Sequence, residues 1–69
     1  MTITRTSRLW VAHGPVGAVG SIREVDGQYE VRMVGADRAV GTYPQLEIAK
    51  RALHAHLKPG AERPEFRRH

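Results

Sequence analysis

The fold is decided by residues 19–34, which read VGSIREVDGQYEVRMV. Asp26-Gly27 divides this stretch into two extended runs, and Asp-Gly suits a two-residue type I′ turn because both central positions need positive φ. With Val25 opposite Gln28, the stretch predicts an antiparallel hairpin of fixed register. The remaining predicted pairs are Glu24 with Tyr29, Arg23 with Glu30, Ile22 with Val31, Ser21 with Arg32 and Gly20 with Met33.

This register sorts the side chains onto two faces, because alternate residues of a strand point to opposite sides of a sheet. The apolar face carries Ile22, Tyr29, Val31 and Met33. The polar face carries Ser21, Arg23, Glu30 and Arg32. An antiparallel sheet with one covered face and one wet face is therefore predicted.

A helix that can cover the apolar face follows further along the chain. Gly35-Ala36-Asp37 predicts a second turn, and residues 38–43 predict another antiparallel strand. Pro44 and Gln45 open a helix, and Pro59-Gly60 ends it. The helix is indicated by apolar residues at helical spacing, namely Leu46, Ala49, Leu53 and Leu57.

The predicted fold class is α+β, with a three- or four-stranded antiparallel sheet covered on one face by a single C-terminal helix. The number of strands stays open because residues 8–13 contain strand formers but end in a glycine-rich stretch. We expect a flexible N-terminus over 1–7, one domain over 8–58, and a flexible basic tail over 59–69 that only Phe66 could dock. The predicted core is Ile22, Tyr29, Val31, Met33, Val40, Leu46, Ala49, Leu53 and Leu57, with Trp10 at its rim.

Composition excludes several kinds of chemistry. The 69 residues include no cysteine, so the chain has no disulfide and no thiolate metal site. A domain this small spares few positions for a catalytic cleft, and no Ser–His–Asp or paired-carboxylate arrangement can be argued. We expect neither enzymatic activity nor a cofactor. His54 and His56 stand two apart on the predicted helix and point about 200° apart, so no metal site is predicted.

The origin and location of the chain are also expectations from composition. Nine Arg and two Lys, with many Ala, Gly and Val residues, are typical of a GC-rich genome, which suggests a bacterial or phage source. The apolar runs are shorter than the roughly 20 residues of a membrane span, and the first ten residues lack the apolar core of a signal peptide. A cytoplasmic protein without membrane contact is expected.

The order of elements resembles a known family. Gly41-Thr42-Tyr43 precedes a helix with Glu47, Ala49 and Ala52, and this pattern is similar to the three-stranded DNA-binding domain of plant ethylene-response factors and of the N-terminal arm of some phage and transposon integrases. The resemblance covers roughly residues 19–57. It implies that the helix covers one sheet face and that the other face enters the DNA major groove.

The positions that contact DNA in that family are only partly matched. Ala39 stands where the family has a tryptophan, and Asp37 and Val34 stand at or near arginine positions. The resemblance therefore leaves three residues for contact with nucleic acid, namely Arg23, Arg32 and Arg38.

Two classes of function follow. In the first, the open sheet face binds nucleic acid through Arg23, Arg32 and Arg38, against the simpler reading that Arg23 pairs across the strands with Glu30. In the second, the chain is an adaptor or inhibitor that binds a protein through the open face, an edge strand or Trp10. The simpler reading of Trp10 is that it closes the end of a small core. Either a monomer or a weak homodimer is expected.

Overall fold

The computed structural model describes residues 8–15, 17–57 and 60–69. All five described strands form one antiparallel sheet in the order β4-β3-β2-β1-β5, and a single described helix packs against it. The predicted α+β class, with an antiparallel sheet and one covering helix, is confirmed, although the sheet has five strands. The elements are β1 (Leu9–Gly14), β2 (Gly17–Val25), β3 (Gln28–Met33), β4 (Gly41–Tyr43), α1 (Leu46–Ala55) and β5 (Glu65–Arg68).

The central hairpin has the turn and register that the sequence predicts. Asp26 and Gly27 have φ values of 51° and 78°, as a type I′ turn requires. Every predicted pair is present, from Val25 opposite Gln28 to Gly20 opposite Met33. The two-residue turn fixes this register locally, so no distant contact is needed to set it.

The first strand extends the sheet beside β2. Residues 9–14 pair with β2, which settles the strand that the sequence left open. A bulge between Ala12 and His13 shifts the register, and the extra residue on β2 is Val19, which packs against the core. Such a bulge bends the strand and increases its twist.

The segment expected to be a flexible tail supplies the fifth strand, so the domain extends beyond residue 58. Glu65–Arg68 pair with the free edge of β1, with Phe66 opposite Ala12. The physical reason is that Phe66 reaches the covered face and packs against the core, while Glu65 and Arg67 point outward. The expectation of a flexible N-terminus falls on residues 1–7, which lie outside the described residues.

The helix is shorter than expected. Its N-cap is Gln45, and it ends at Ala55. The amides of His56 and Leu57 then donate hydrogen bonds to the backbone carbonyls three residues earlier, at 3.1 Å. This tighter last turn satisfies carbonyls that would otherwise lack partners. Within the described part of the chain, no helix is long and apolar enough to cross a membrane.

The core lies between α1 and the centre of the sheet. Its fully buried residues are Ala12, Ile22, Val31, Ala49 and Leu53. The helix can approach closely because β2 has a glycine at position 20: a Cβ there would lie 2.8 Å from the Arg32 carbonyl oxygen and 3.0 Å from Leu53 Cδ1. Leu57, predicted for the core, is only half-buried and lies beyond the helix end. The partly buried residues around the core are Trp10, Val19, Tyr29, Met33, Val40, Tyr43, Leu46 and Phe66.

Candidate functional site

The face of the sheet opposite α1, here called the open face, is the first candidate site. The described part of the chain has one helix, and the core beneath it takes the inward residues of each strand. The residues between these inward positions point the other way. By this alternation and the strand register, the open face carries Leu9, Val11, His13, Ser21, Arg23, Val25, Gln28, Glu30, Arg32, Thr42, Glu65 and Arg67.

Arg23 lies near the middle of the open face, on β2, the central strand of the sheet. It is exposed, and its cross-strand neighbours are Glu30 and Leu9. The cross-strand ion pair with Glu30 is not formed, because that carboxylate instead contacts Arg32. Arg23 forms no ion pair with any residue that the structure describes. Its guanidinium group therefore stays available to a ligand.

Arg32 is the second cation near the middle of the open face. It stands opposite Ser21, so Arg23 is its diagonal neighbour on the adjacent strand. Residues in this diagonal relation are about 7–8 Å apart. Its Nε is 3.4 Å from Glu30 Oε1. An exposed ion pair of this kind contributes only about 0–1 kcal/mol, so a ligand can displace it at little free energy. The structure thus brings together two of the three predicted arginines.

Arg38 is not brought into the same array. It is exposed in the loop between β3 and β4, outside both strands. The alternation that places Arg23 and Arg32 on the open face therefore does not extend to it. The turn before it has Gly35 at φ 84° and a hydrogen bond from the Ala36 amide to the Met33 carbonyl oxygen at 3.1 Å.

The β5 end of the open face carries Arg67, a cation in the segment that the sequence predicts to be a flexible tail. Arg67 Nε donates a hydrogen bond to Glu65 Oε1 at 2.6 Å. This hydrogen bond and the charge of Arg67 hold the pKa of Glu65 below its ordinary value, with a smaller contribution from His13. Arg67 is already engaged, so it is less available to a ligand than Arg23.

Trp10 lies on the covered side of the sheet. Its ring is half-buried, and it packs on Tyr29 with a centroid distance of 5.9 Å and an interplanar angle of 56°. A tilted aromatic pair of this kind stabilises the edge of a core. Trp10 and Arg23 therefore face opposite sides of the sheet and cannot form one binding site.

A second basic region, which the sequence analysis did not identify, lies between α1 and the segment leading into β5. It is a cleft of about 400 Å³. The sequence indicates one wall of this region, because its helical residues are spaced so that they lie along one side of a helix. Its other wall forms only when β5 docks. The cleft is lined by Glu47, Lys50, Arg51, His54, Ala55, Arg63, Pro64 and Phe66.

His54 and His56 each form a hydrogen bond with a different backbone carbonyl. His54 Nε2 lies 3.0 Å from the Ala61 oxygen, and His56 Nδ1 lies 2.9 Å from the Ala52 oxygen. Because a carbonyl oxygen only accepts, these two ring nitrogens carry the protons. Among the residues described, no three histidine or acidic side chains converge into a metal site.

Comparisons with protein-family models, with curated proteins and with solved structures each found no match. The resemblance to three-stranded DNA-binding domains therefore stays a prediction.

Proposed function

We propose that this chain is a small non-enzymatic binding module that contacts the backbone of nucleic acid through its open face. Arg23 and Arg32 would each donate to a phosphate. The observation that supports this proposal most is the position of Arg23: exposed, near the centre of the open face, and without an ion pair to any described residue.

The chemistry of the two arginines suits phosphate. A guanidinium group presents donors in a rigid fork that matches phosphate oxygens, and such charge-assisted bonds are stronger than neutral ones. Two paired strands carry both residues, so the separation of their Cα atoms is fixed before the ligand arrives. Ser21 adds a hydroxyl between them on the same face. Binding of this kind depends on charge and is weakened by salt.

A protein partner has less support from the described surface. The exposed large apolar residues are Val25, Val34 and Ile48, which stand at the hairpin turn, at the opposite end of the hairpin and on the helix. Scattered apolar residues are ordinary on a protein surface and do not form a patch. The two edge strands are also poor templates for another chain, because β4 has three residues and β5 carries charged side chains.

The first experiment is an amide NMR titration with a short mixed-sequence DNA duplex at low and moderate salt. We expect shifts in residues 21–32, together with their neighbours on β1, and we expect these shifts to fade as salt rises. Absence of any shift at low salt would refute the proposal. So would shifts confined to the helix and to residues 60–64, because those residues lie outside the open face.

Substitutions then separate a specific face from general attraction between charges. Arg23→Gln and Arg32→Gln should each weaken duplex binding and reduce the slope of log K against log salt by about one. Arg51→Gln is the matched control, since it removes the same charge from an exposed position on α1. Equal loss in all three variants would show that only the net charge matters, and the proposal would then fail.

A further inference from the structure

We propose that the cleft between α1 and residues 60–66 is a separate binding site for a small anion that carries a phosphate monoester or diphosphate group. This proposal does not depend on the open face, which lies on the other side of the sheet. It rests on the charges of the two walls of the cleft, on the volume of the cleft and on the hydrogen bond that joins the two walls.

One wall is a stripe along α1. Glu47, Lys50 and Arg51 are followed one turn later by His54, and this spacing places them along one side of the helix. The stripe runs beside the apolar residues that face the sheet. Among the described elements, α1 packs against β2, β3 and β4, and a cleft remains between α1 and Phe66 of β5.

The other wall is the segment that leads into β5. Arg63 is exposed there, Pro64 is buried, and Phe66 is half-buried against the core. The carbonyl of Ala61 accepts a hydrogen bond from His54 Nε2 at 3.0 Å. This bond ties the segment to α1, so the width of the cleft is set before a ligand binds.

The charges of the cleft are unbalanced. Lys50 Nζ forms an ion pair with Glu47 Oε2 at 3.6 Å and lies 5.4 Å from the centroid of the Phe66 ring. Arg51 and Arg63, on opposite walls, form no ion pair with the residues that the structure describes. The lining of the cleft thus holds three cations and one carboxylate. An anion in the cleft would offset this excess of positive charge.

The size and donor set indicate the class of ligand. Small-molecule sites are clefts of roughly 300–1,000 Å³, and this cleft, at about 400 Å³, lies within that range. A phosphate monoester carries about 1.5–2 negative charges near neutral pH and offers three acceptor oxygens. Two guanidinium groups and an ammonium group match that charge and can bind bidentately. Because Glu47 already pairs with Lys50, two cations remain, and a ligand with a single carboxylate would neutralise only one of them.

The test uses the whole chain and inorganic pyrophosphate as the probe. In an amide NMR titration up to about 10 mM, at ionic strength held constant with sodium chloride, we expect saturable shifts in residues 47–55 and 61–66. Arg51→Gln and Arg63→Gln should each weaken binding about tenfold, the loss expected for one charge-assisted contact. Arg38→Gln, the matched control at an exposed position outside both basic surfaces, should change it by less than about twofold.

Two results would overturn the proposal. One is the absence of saturable shifts over the whole range of pyrophosphate. The other is equal weakening by Arg38→Gln, which would show that pyrophosphate only samples the net charge. Both cleft substitutions are at exposed positions, and an unchanged amide spectrum for the β2–β3 hairpin confirms that each variant is folded.

The phosphate could belong to a free metabolite or to the end of a nucleic acid chain. Competition with a short single-stranded oligonucleotide separates these sources. Displacement of pyrophosphate by the 5′-phosphorylated oligonucleotide, but not by the same oligonucleotide without that phosphate, would assign the site to chain ends. Pyrophosphate binding without displacement by either would assign it to small molecules. Either result upholds the site, and neither requires the open face to bind duplex.

Discussion

The two halves of the sheet differ in how they are covered. Under α1, the hairpin half (β2, β3 and β4) is closed by helix packing, and its central residues Ile22 and Val31 are fully buried. In the edge half (β1 and β5), α1 does not pack against β5, and a cleft remains beside that strand. One short helix cannot cover five strands. The space between α1 and β5 is accordingly lined by cations, namely Lys50, Arg51 and Arg63.

The two halves also differ in how far their contacts reach along the chain. The β2–β3 pairs surround a two-residue turn, whereas β5 pairs with β1 from the other end of the described chain, with Trp10 opposite Arg68. Closing a longer loop costs more conformational entropy. Regions with few buried apolar contacts open before the whole molecule unfolds. We therefore expect the amides of β5 to exchange faster than those of the hairpin.

The largest expected effect is in the hairpin half. Leu53→Ala removes a fully buried side chain that contacts the sheet at Gly20, and it should lower the free energy of unfolding by about 2–5 kcal/mol. Urea unfolding followed by far-ultraviolet circular dichroism measures this change. A loss below about 1 kcal/mol would contradict the assignment of Leu53 to the centre of the core.

A smaller and more local effect is expected in the edge half. Phe66→Ala removes the one apolar side chain that docks β5, and because this ring is only half-buried the expected loss is about 1–2 kcal/mol. Amide hydrogen exchange should show lost protection in residues 65–68, with the β2–β3 hairpin still protected. Equal loss of protection in both halves would show that β5 and the hairpin open as one unit.

The smallest expected effect concerns the ion pair on β5. Because Arg67 lowers the pKa of Glu65 in the folded protein, the contribution of this pair is present above the ordinary pKa of 4.5 and is lost as pH falls through the lowered value. Carboxyl NMR should give Glu65 a midpoint below 4.5, and Arg67→Gln should raise it. An unchanged midpoint in that variant would refute the role of Arg67.

The hairpin half could be predicted from sequence because its signals are local. The positive φ values of Asp26 and Gly27 and the full register follow from one dipeptide and the alternation around it. The placement of Arg23 and Arg32 on one face follows from that register alone. The covering helix was predicted from the spacing of Leu46, Ala49 and Leu53, and only its end differs.

The edge half could not be predicted in the same way. β5 has four residues, and the alternation of one aromatic residue between charged neighbours is too short to distinguish a strand from a tail. The cleft depends on that strand, since Arg63 meets the helix wall only when Phe66 docks. The resemblance groups Arg38 with Arg23 and Arg32 for contact with nucleic acid, but residues 34–40 form a loop.

The claim that two basic surfaces serve two different anions is tested most directly by one paired measurement. Arg23→Gln and Arg51→Gln, which remove the same charge from opposite sides of the sheet, are each titrated with the DNA duplex and with pyrophosphate. We predict that Arg23→Gln loses duplex binding and keeps pyrophosphate, while Arg51→Gln does the reverse. Equal losses for both ligands in both variants would contradict the claim, because the two surfaces would then act only through the net charge.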